Sequence, residues 1–421
     1  MTKPNNSFKK LISTSGINFL FRIFGLASSF LIVFFISRFF GVTNYGNYSL
    51  SFTISQATAM IFALGIPNAL ILVVGNRKLS LKEAKTLLFK GIKIALLFSI
   101  IPFLFFFFYA DIISEVFGSL KLIPFFKIIS AIIPLFIIHE LFLYYFIAIK
   151  NFKLYNIFMF VLPNIILGLF LILFYFFDTK DFFTLLAFAI TMLLVVLGEY
   201  FLTYESKLPN ISISTKSLIK VAFPMLFSGL LLYLLNWTDV IMLGLMTDEK
   251  QVGIYNIAYK IGSVGFLVIV SVSTIITPRM AELYGGGNIS ELKKVIQNAT
   301  QLIAILSIPL VFALIVLNEF ILSFFGVEII VGSSTLIIIS LGVLFSAMAG
   351  NVDQILNMTN NQKILRNITI FSFFINVFLN YILIPLYGIN GAAIASLVSN
   401  VIINLLCVYY IKKKLGFYTL F

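Results

Sequence analysis

A chain of 421 residues that is 61% hydrophobic and only 11% charged lies outside the composition of soluble globular proteins and reads as a polytopic α-helical membrane protein. Its formal charge of +13 is concentrated in short connections between apolar segments, which points to membrane orientation rather than to nucleic acid. A single cysteine, Cys407, and a single histidine, His139, exclude a disulfide framework, a cysteine metal site and histidine-rich chemistry.

The start, Met1 to Lys10, is polar and basic. The apolar stretch that follows, Asn18 to Phe40, is too long for a signal-peptide core and lacks a small-residue cleavage site, so it is read as the first membrane helix. At about 1.5 Å per residue it spans roughly 34 Å, enough to cross a bilayer. Arg22 and Arg38 inside it each cost at least a few kcal/mol in hydrocarbon, so they are expected to face protein or a water-filled cavity. A turn of about 100° per residue puts Asn18, Arg22, Gly25 and Ser29 on one small, polar face. A glycine turn, Gly41 to Tyr48, leads into the next segment.

Twelve apolar segments follow one another, at roughly 17–40, 47–75, 86–110, 122–149, 155–177, 182–204, 219–246, 253–281, 295–317, 333–358, 367–386 and 390–411. With the N-terminus inside, nineteen lysines and arginines fall in the inner connections and three (Lys121, Lys180 and Lys250) in the outer ones. Asp111, Glu115, Asp178, Asp181, Asp248, Glu249, Glu319 and Glu328 are all outer. The positive-inside rule therefore places both termini in the cytoplasm and supports an even count of twelve. The short loops leave no room for a soluble catalytic domain, and the expected protein is not an enzyme.

The chain also repeats. Gly46-Asn47-Tyr48 recurs as Gly253-Ile254-Tyr255, and Ile101-Pro102 as Ile308-Pro309, both 207 positions later. Ser80-Leu81-Lys82-Glu83 parallels Ser290-Glu291-Leu292-Lys293. Two six-helix halves result, 1–204 and 221–421, joined by a cytoplasmic linker at 205–220. Six is even, so both run in the same direction and would be related by an axis along the membrane normal with a cavity between them.

Seven cations lie inside or at the ends of spans: Arg22, Arg38, Lys90, Lys93, Lys127, Lys260 and Arg279. Four acids join them: Glu140, Glu199, Asp239 and Asp353. Lys90, Lys93 and Lys127 can snorkel from helix ends. Arg22, Lys260, Arg38 and Arg279 are the candidates for contact with a transported substrate, since a cation in an apolar segment is costly and needs a polar partner. Asn256 shares a stripe with Gly253, Lys260, Ser263, Ser271 and Thr274. The structural alternative for each cation is an internal ion pair with a nearby carboxylate. Asp239, with Ser228 on its face and Asn236 close by, is the first candidate for carrying a proton or Na⁺. Its alternative is a partner for Arg22 or Lys260. His139 and Glu140 are adjacent, hence about 100° apart on a helix; a relay through Glu140 competes with a histidine bonded for packing. The 49 phenylalanines read as lipid-facing bulk and helix packing, and Asn357, Asn360 and Asn361 as loop caps.

Three stretches carry a family resemblance. They are Asn376 to Pro385 running into Leu386 to Ala395, Asp239-Val240-Ile241-Met242-Leu243-Gly244 followed by Val252-Gly253-Ile254-Tyr255, and Phe39-Phe40-Gly41 leading to Tyr45-Gly46-Asn47-Tyr48. The chain resembles, over essentially its whole length, bacterial polysaccharide-export proteins, the O-antigen flippases often called Wzx. The resemblance implies an all-α integral membrane fold of twelve helices in two bundles, V-shaped as in multidrug and toxin extruders. It implies flipping of an undecaprenyl-pyrophosphate-linked oligosaccharide across the bacterial inner membrane for O-antigen and other surface polysaccharide, including lipopolysaccharide biosynthesis. Expected partners are the lipid-linked oligosaccharide and membrane lipid, with polysaccharide polymerase and chain-length proteins as candidates. No cofactor is expected beyond a coupling H⁺ or Na⁺. Two competing readings remain, a cation-coupled multidrug exporter and a polysaccharide polymerase or glycosyltransferase. The surplus of intramembrane cations argues against the first and the short outer loops against the second.

Overall fold

The computed structural model of the chain describes residues 6–177, 182–211 and 213–420, with side chains at 6–19, 224, 227–236 and 274 left undescribed. The side chains of Asn18, Ser228, Asn236 and Thr274, and the loop charges Lys3, Lys9, Lys10, Asp178, Lys180 and Asp181, lie outside the described residues.

Helices in chain order are α1 (Asn6–Phe35), α2 (Val42–Phe62), α3 (Ile66–Arg77), α4 (Leu81–Phe108), α5 (Ala110–Val116), α6 (Ile123–Ala148), α7 (Phe152–Asn156), α8 (Leu162–Phe176) and α9 (Phe183–Thr203). The second half continues with α10 (Thr215–Met246), α11 (Glu249–Gly262), α12 (Phe266–Gly285), α13 (Ile289–Val316), α14 (Asn318–Phe325), α15 (Ser333–Ala349), α16 (Val352–Met358), α17 (Gln362–Tyr387) and α18 (Ile389–Leu415). Among the described residues ten stretches are long and apolar enough to cross a membrane, and the bent pair α2–α3, taken as one span, makes an eleventh. The long α10 occupies the seventh expected segment, so twelve spans accommodate the described helices.

Local chemistry marks the helix starts. Ser80 and Glu83 form a capping box on α4, the Ser80 N–H donating to Glu83 Oε2 at 2.8 Å. Asp248 caps α11 and Asn288 caps α13 through the N–H groups of Gln251 and Glu291. The 28-residue helices α4 and α13 contain Pro102 and Pro309, the pair matched in the sequence repeat.

Three expected spans are interrupted. The axis bends by 46° between α2 and α3, where Leu64 and Gly65 take φ of 54° and 71°. A 3₁₀ turn, Ser263–Gly265, separates α11 from α12. The polar stripe drawn from Gly253 to Thr274 at 100° per residue therefore loses its register after Ser263. The third break lies between α15 and α16 at Gly350, φ 83°, where a Cβ would sit 2.2 Å from Thr300 Oγ1. Only glycine fits both that conformation and that approach.

Contacts divide the chain into compact units at 1–230 and 231–421, a division that falls within α10. In the first unit α6 is the hub, packed by α2, α3, α4 and α9 around Phe125, Phe126, Ile133, Ile137 and Phe142. Gly25 of α1 lets Phe160 approach, since a Cβ there would lie 2.7 Å from the ring. The connection after α9 is fastened to α4. Glu205 pairs with Lys82 and Lys85 at 2.9 Å each, Thr86 donates to the Pro209 carbonyl, and Lys90 donates to the Ile213 carbonyl at 2.6 Å. Lys90 is thus committed to the fold.

In the second unit α15 and α18 are central, flanked by α11, α13 and α17. One end is closed by Met280, Leu292, Ile296, Val352, Leu356, Cys407 and Ile411. Phe417 joins this core, and Thr419 donates to the Ala349 carbonyl at 2.7 Å, strapping the segment after α18 across the end of α15. Lipid is as apolar as leucine, so close packing and internal hydrogen bonds hold such bundles more than apolar burial does.

Candidate functional site

The site builds around one carboxylate. Asp239 lies in the second half of α10 and is 1% exposed. Tyr255 of α11 donates its hydroxyl to Oδ2 at 2.7 Å, and Ser396 of α18 donates to the same oxygen. On Oδ1, Asn380 Nδ2 of α17 donates at 2.7 Å and Asn376 Nδ2 at 3.3 Å. Asn376 and Asn380 are one helical turn apart and also bond each other at 3.1 Å. Asn380 Oδ1 is buried with no hydrogen-bond partner among the described residues.

All four donors are neutral. Burying a carboxylate costs several kcal/mol, and each hydrogen bond to a charged group returns about 1.5–3 kcal/mol. Among the described residues every group bonded to Asp239 is neutral, which leaves the carboxyl group able to take a proton or a small cation. A cavity of ≈ 150 Å³ borders the cage at Asn376 and Ser396. Among the described residues no group of three or more His, Cys, Asp or Glu side chains converges to hold a metal ion.

A second buried cluster lies in the first unit. His139 Nδ1 of α6 meets Glu199 Oε1 of α9 at 2.9 Å, with Glu199 fully buried and its Oε2 without a partner among the described residues. Glu199, rather than the sequence neighbour Glu140, closes on the imidazole. Glu140 is half-buried.

The nominated cations divide between the units. Arg22 on α1 and Arg38, in the π-helical turn Ile36–Phe40, are exposed and belong to the first. Lys260 and Asn256, half-buried on α11, and exposed Arg279 on α12 belong to the second. Arg279 holds Glu282 at 3.0 Å and Glu291 at 2.7 Å. Sequence reasoning nominated Asp239 and missed the four groups around it. The i, i+4 pair Asn376 and Asn380 inside an apolar run is a usable signal, which the family motif absorbs. Nothing in the sequence singles out Ser396.

Comparison with known proteins bears on both fold and family. A family model described as polysaccharide biosynthesis protein matches residues 8–284, and one described as MatE matches 224–382. Two relatives from Haloferax volcanii are the probable low-salt glycan biosynthesis flippase Agl15, 26% identical over 182 residues, and the probable flippase AglR, 27% identical over 181. These matches cover 43% and 42% of this chain and only 39% and 38% of those relatives. Among solved structures, lipid II flippase MurJ in an inward closed conformation superposes with a TM-score of 0.77 at 19% identity, over 95% of this chain and 87% of that one. An inward-facing multidrug resistance MATE family transporter of the MOP superfamily gives 0.75 at 14% identity, over 94% of each chain. The fold is thus the all-α membrane fold of MATE transporters and MurJ. With more than half its length matched by the first model, the chain belongs to the polysaccharide biosynthesis protein family.

Proposed function

We propose that the protein is a flippase for a lipid-linked oligosaccharide, moving it across a membrane by alternating access coupled to a cation at Asp239. The observation that carries this reading is the polysaccharide biosynthesis match over 8–284, which two relatives named as flippases support. The substrate would be the undecaprenyl-pyrophosphate-linked repeat unit of O-antigen or another surface polysaccharide, and the site the bacterial inner membrane with both termini cytoplasmic. Polymerase and chain-length proteins would then act on the delivered unit.

A pyrophosphate bearing sugars cannot cross hydrocarbon unaided. Arg22 and Lys260 are the cations assigned to the pyrophosphate, with Arg38, Arg279 and Asn256 as further contacts. Coupling needs a group whose charge changes when the ion binds. The cage around Asp239 supports that role: four neutral donors orient the carboxyl group, and a proton or small cation binding there would change the site's charge. Glu140 is the alternative coupling group.

The test is deletion of the gene in its host. Surface polysaccharide should be lost while its lipid-linked unit accumulates on the cytoplasmic side, with rescue by the wild type and not by Arg22→Ala. The MatE match over 224–382 favours a second reading, a cation-coupled drug exporter. Normal polysaccharide with new drug sensitivity would select it. Units already exposed on the far leaflet would mean a polymerase.

A further inference from the structure

We infer that the second unit carries its own hydrophilic access path, through which water and a small monovalent cation reach Asp239 from the helix ends where Asp353 lies. The inference rests on the reading of Asp239 as the coupling group.

Two cavities make the path. The first, ≈ 150 Å³, is bordered by Asn376 and Ser396, both bonded to the Asp239 carboxylate, and by Tyr259 and Asn400. The second, ≈ 620 Å³, shares Phe266, Asn400 and Ile403 with the first and continues past Ser346, Asn404 and Asn351 to Asp353. One water needs only about 10–15 Å³ on this measure, so both are roomy. Asp353 is exposed at the far end.

Polarity along the path is organised. On the wall of the larger cavity, Ser346 Oγ donates to Asn400 Oδ1 at 3.1 Å, while Asn404 Nδ2 lies 2.9 Å from that same oxygen and 3.1 Å from Ser346 Oγ. These groups come from α15 and α18 and border the cavities. The break between α15 and α16 lies on the wall of the larger cavity, at Gly350 and Asn351. Non-helical backbone at membrane depth is tolerated where it is buried in protein or lines a water-filled cavity. Asn351 Nδ2 bonds Ser273 Oγ of α12 across that wall. The smaller cavity is also lined by Ile339, Val343 and Leu397.

Cysteine accessibility in the full chain, reconstituted in vesicles of known orientation, tests the path. Fully buried Cys407 serves as an unreactive background. Asp353→Cys marks one end of the unit and Glu328→Cys, before α15, the other. A small impermeant cationic methanethiosulfonate is the probe. Asn400→Cys should react from the Asp353 side at least tenfold faster than from the Glu328 side. Ser346→Cys, a milder change, should do the same and covers any folding defect at Asn400. No reaction at either position in folded protein, or reaction from the Glu328 side, would overturn the path. Transport by Asp239→Asn is measured in parallel. Lost cation dependence without labelling would overturn the path alone. Labelling with wild-type cation dependence would overturn delivery to Asp239 and with it the coupling reading.

Discussion

His139 and Glu199, 60 positions apart, meet at 2.9 Å in a buried pair that ties α6 to α9. His139→Ala leaves Glu199 with neither oxygen accounted for. Removing one partner of a buried pair typically costs about 3–5 kcal/mol. Glu199→Gln should cost clearly less, and His139→Leu combined with Glu199→Leu should recover much of the loss. Thermal unfolding in detergent checks this. A His139→Ala protein as stable as the wild type would remove the pair as a structural tie.

Asp239→Asn is nearly isosteric and neutral, so the expected protein is folded and has lost its cation dependence. Asn380→Ala removes the 2.7 Å donor while leaving Asn376, Tyr255 and Ser396 in place. One charge-assisted bond of about 1.5–3 kcal/mol corresponds to a roughly ten- to hundred-fold change in the equilibrium it supports. Titration of transport rate against cation concentration should show a midpoint moved by that order in Asn380→Ala. An unmoved midpoint would detach α17 from coupling.

At Gly391 an added Cβ would lie 2.2 Å from the Leu383 carbonyl oxygen and 2.4 Å from its carbon. Backbone cannot step aside as a flexible side chain can, so Gly391→Ala must push α18 from α17. Overpacking of this kind costs about 1–3 kcal/mol or more. Gly168→Ala, with nothing within 4 Å of the new carbon, should be neutral. Comparing the amounts of folded protein recovered from membranes decides the point, and equal yields would mean the α17–α18 contact is slack.

Arg279 tests whether an exposed cation serves the fold or the substrate. Surface pairs such as those with Glu282 and Glu291 contribute about 0–1 kcal/mol. Arg279→Ala should therefore leave thermal stability nearly unchanged, and a large loss of transport alongside it would locate Arg279 on the substrate's path. Unaltered transport would leave it an ordinary surface pair.

Hydrogen bonds from Lys82 and then Lys85 hold the Glu205 carboxyl below its ordinary value. A carboxylate with a depressed folded-state pKa stabilises the fold above its unfolded pKa of about 4.3, and that contribution is lost as pH falls through the lower folded value. Glu205→Gln should match the wild type at strongly acidic pH and be less stable at neutral pH. Melting curves across that range give the comparison, and a constant gap at every pH would mean the effect is steric.

Composition and loop charge made the membrane class and the helix order legible, because twenty-residue apolar runs admit few other structures. The breaks were legible only in part. Gly65 and Gly350 stand inside apolar runs that look continuous, and what interrupts them is a close approach from Ala222 and from Thr300, which no local pattern records. Asp239 could be nominated because an acid in an apolar segment is costly anywhere. Its cage could not, because Tyr255, Asn376, Asn380 and Ser396 converge from three helices and each alone is an ordinary side chain.

The strap after α18 bears on how the protein is made. Interrupting α15 at Gly350 frees the Ala349 carbonyl from its helical partner, and the group that takes it up is the hydroxyl of Thr419, 70 positions later. A ribosome delivers Ala349 long before Thr419. During synthesis the interruption must stay hydrated or borrow a substitute, and the second unit closes only after α16, α17 and α18 have been inserted. Quality control of this chain should therefore be most sensitive late in translation, when a defect nominally in α15 is exposed by the failure of a distant residue to arrive.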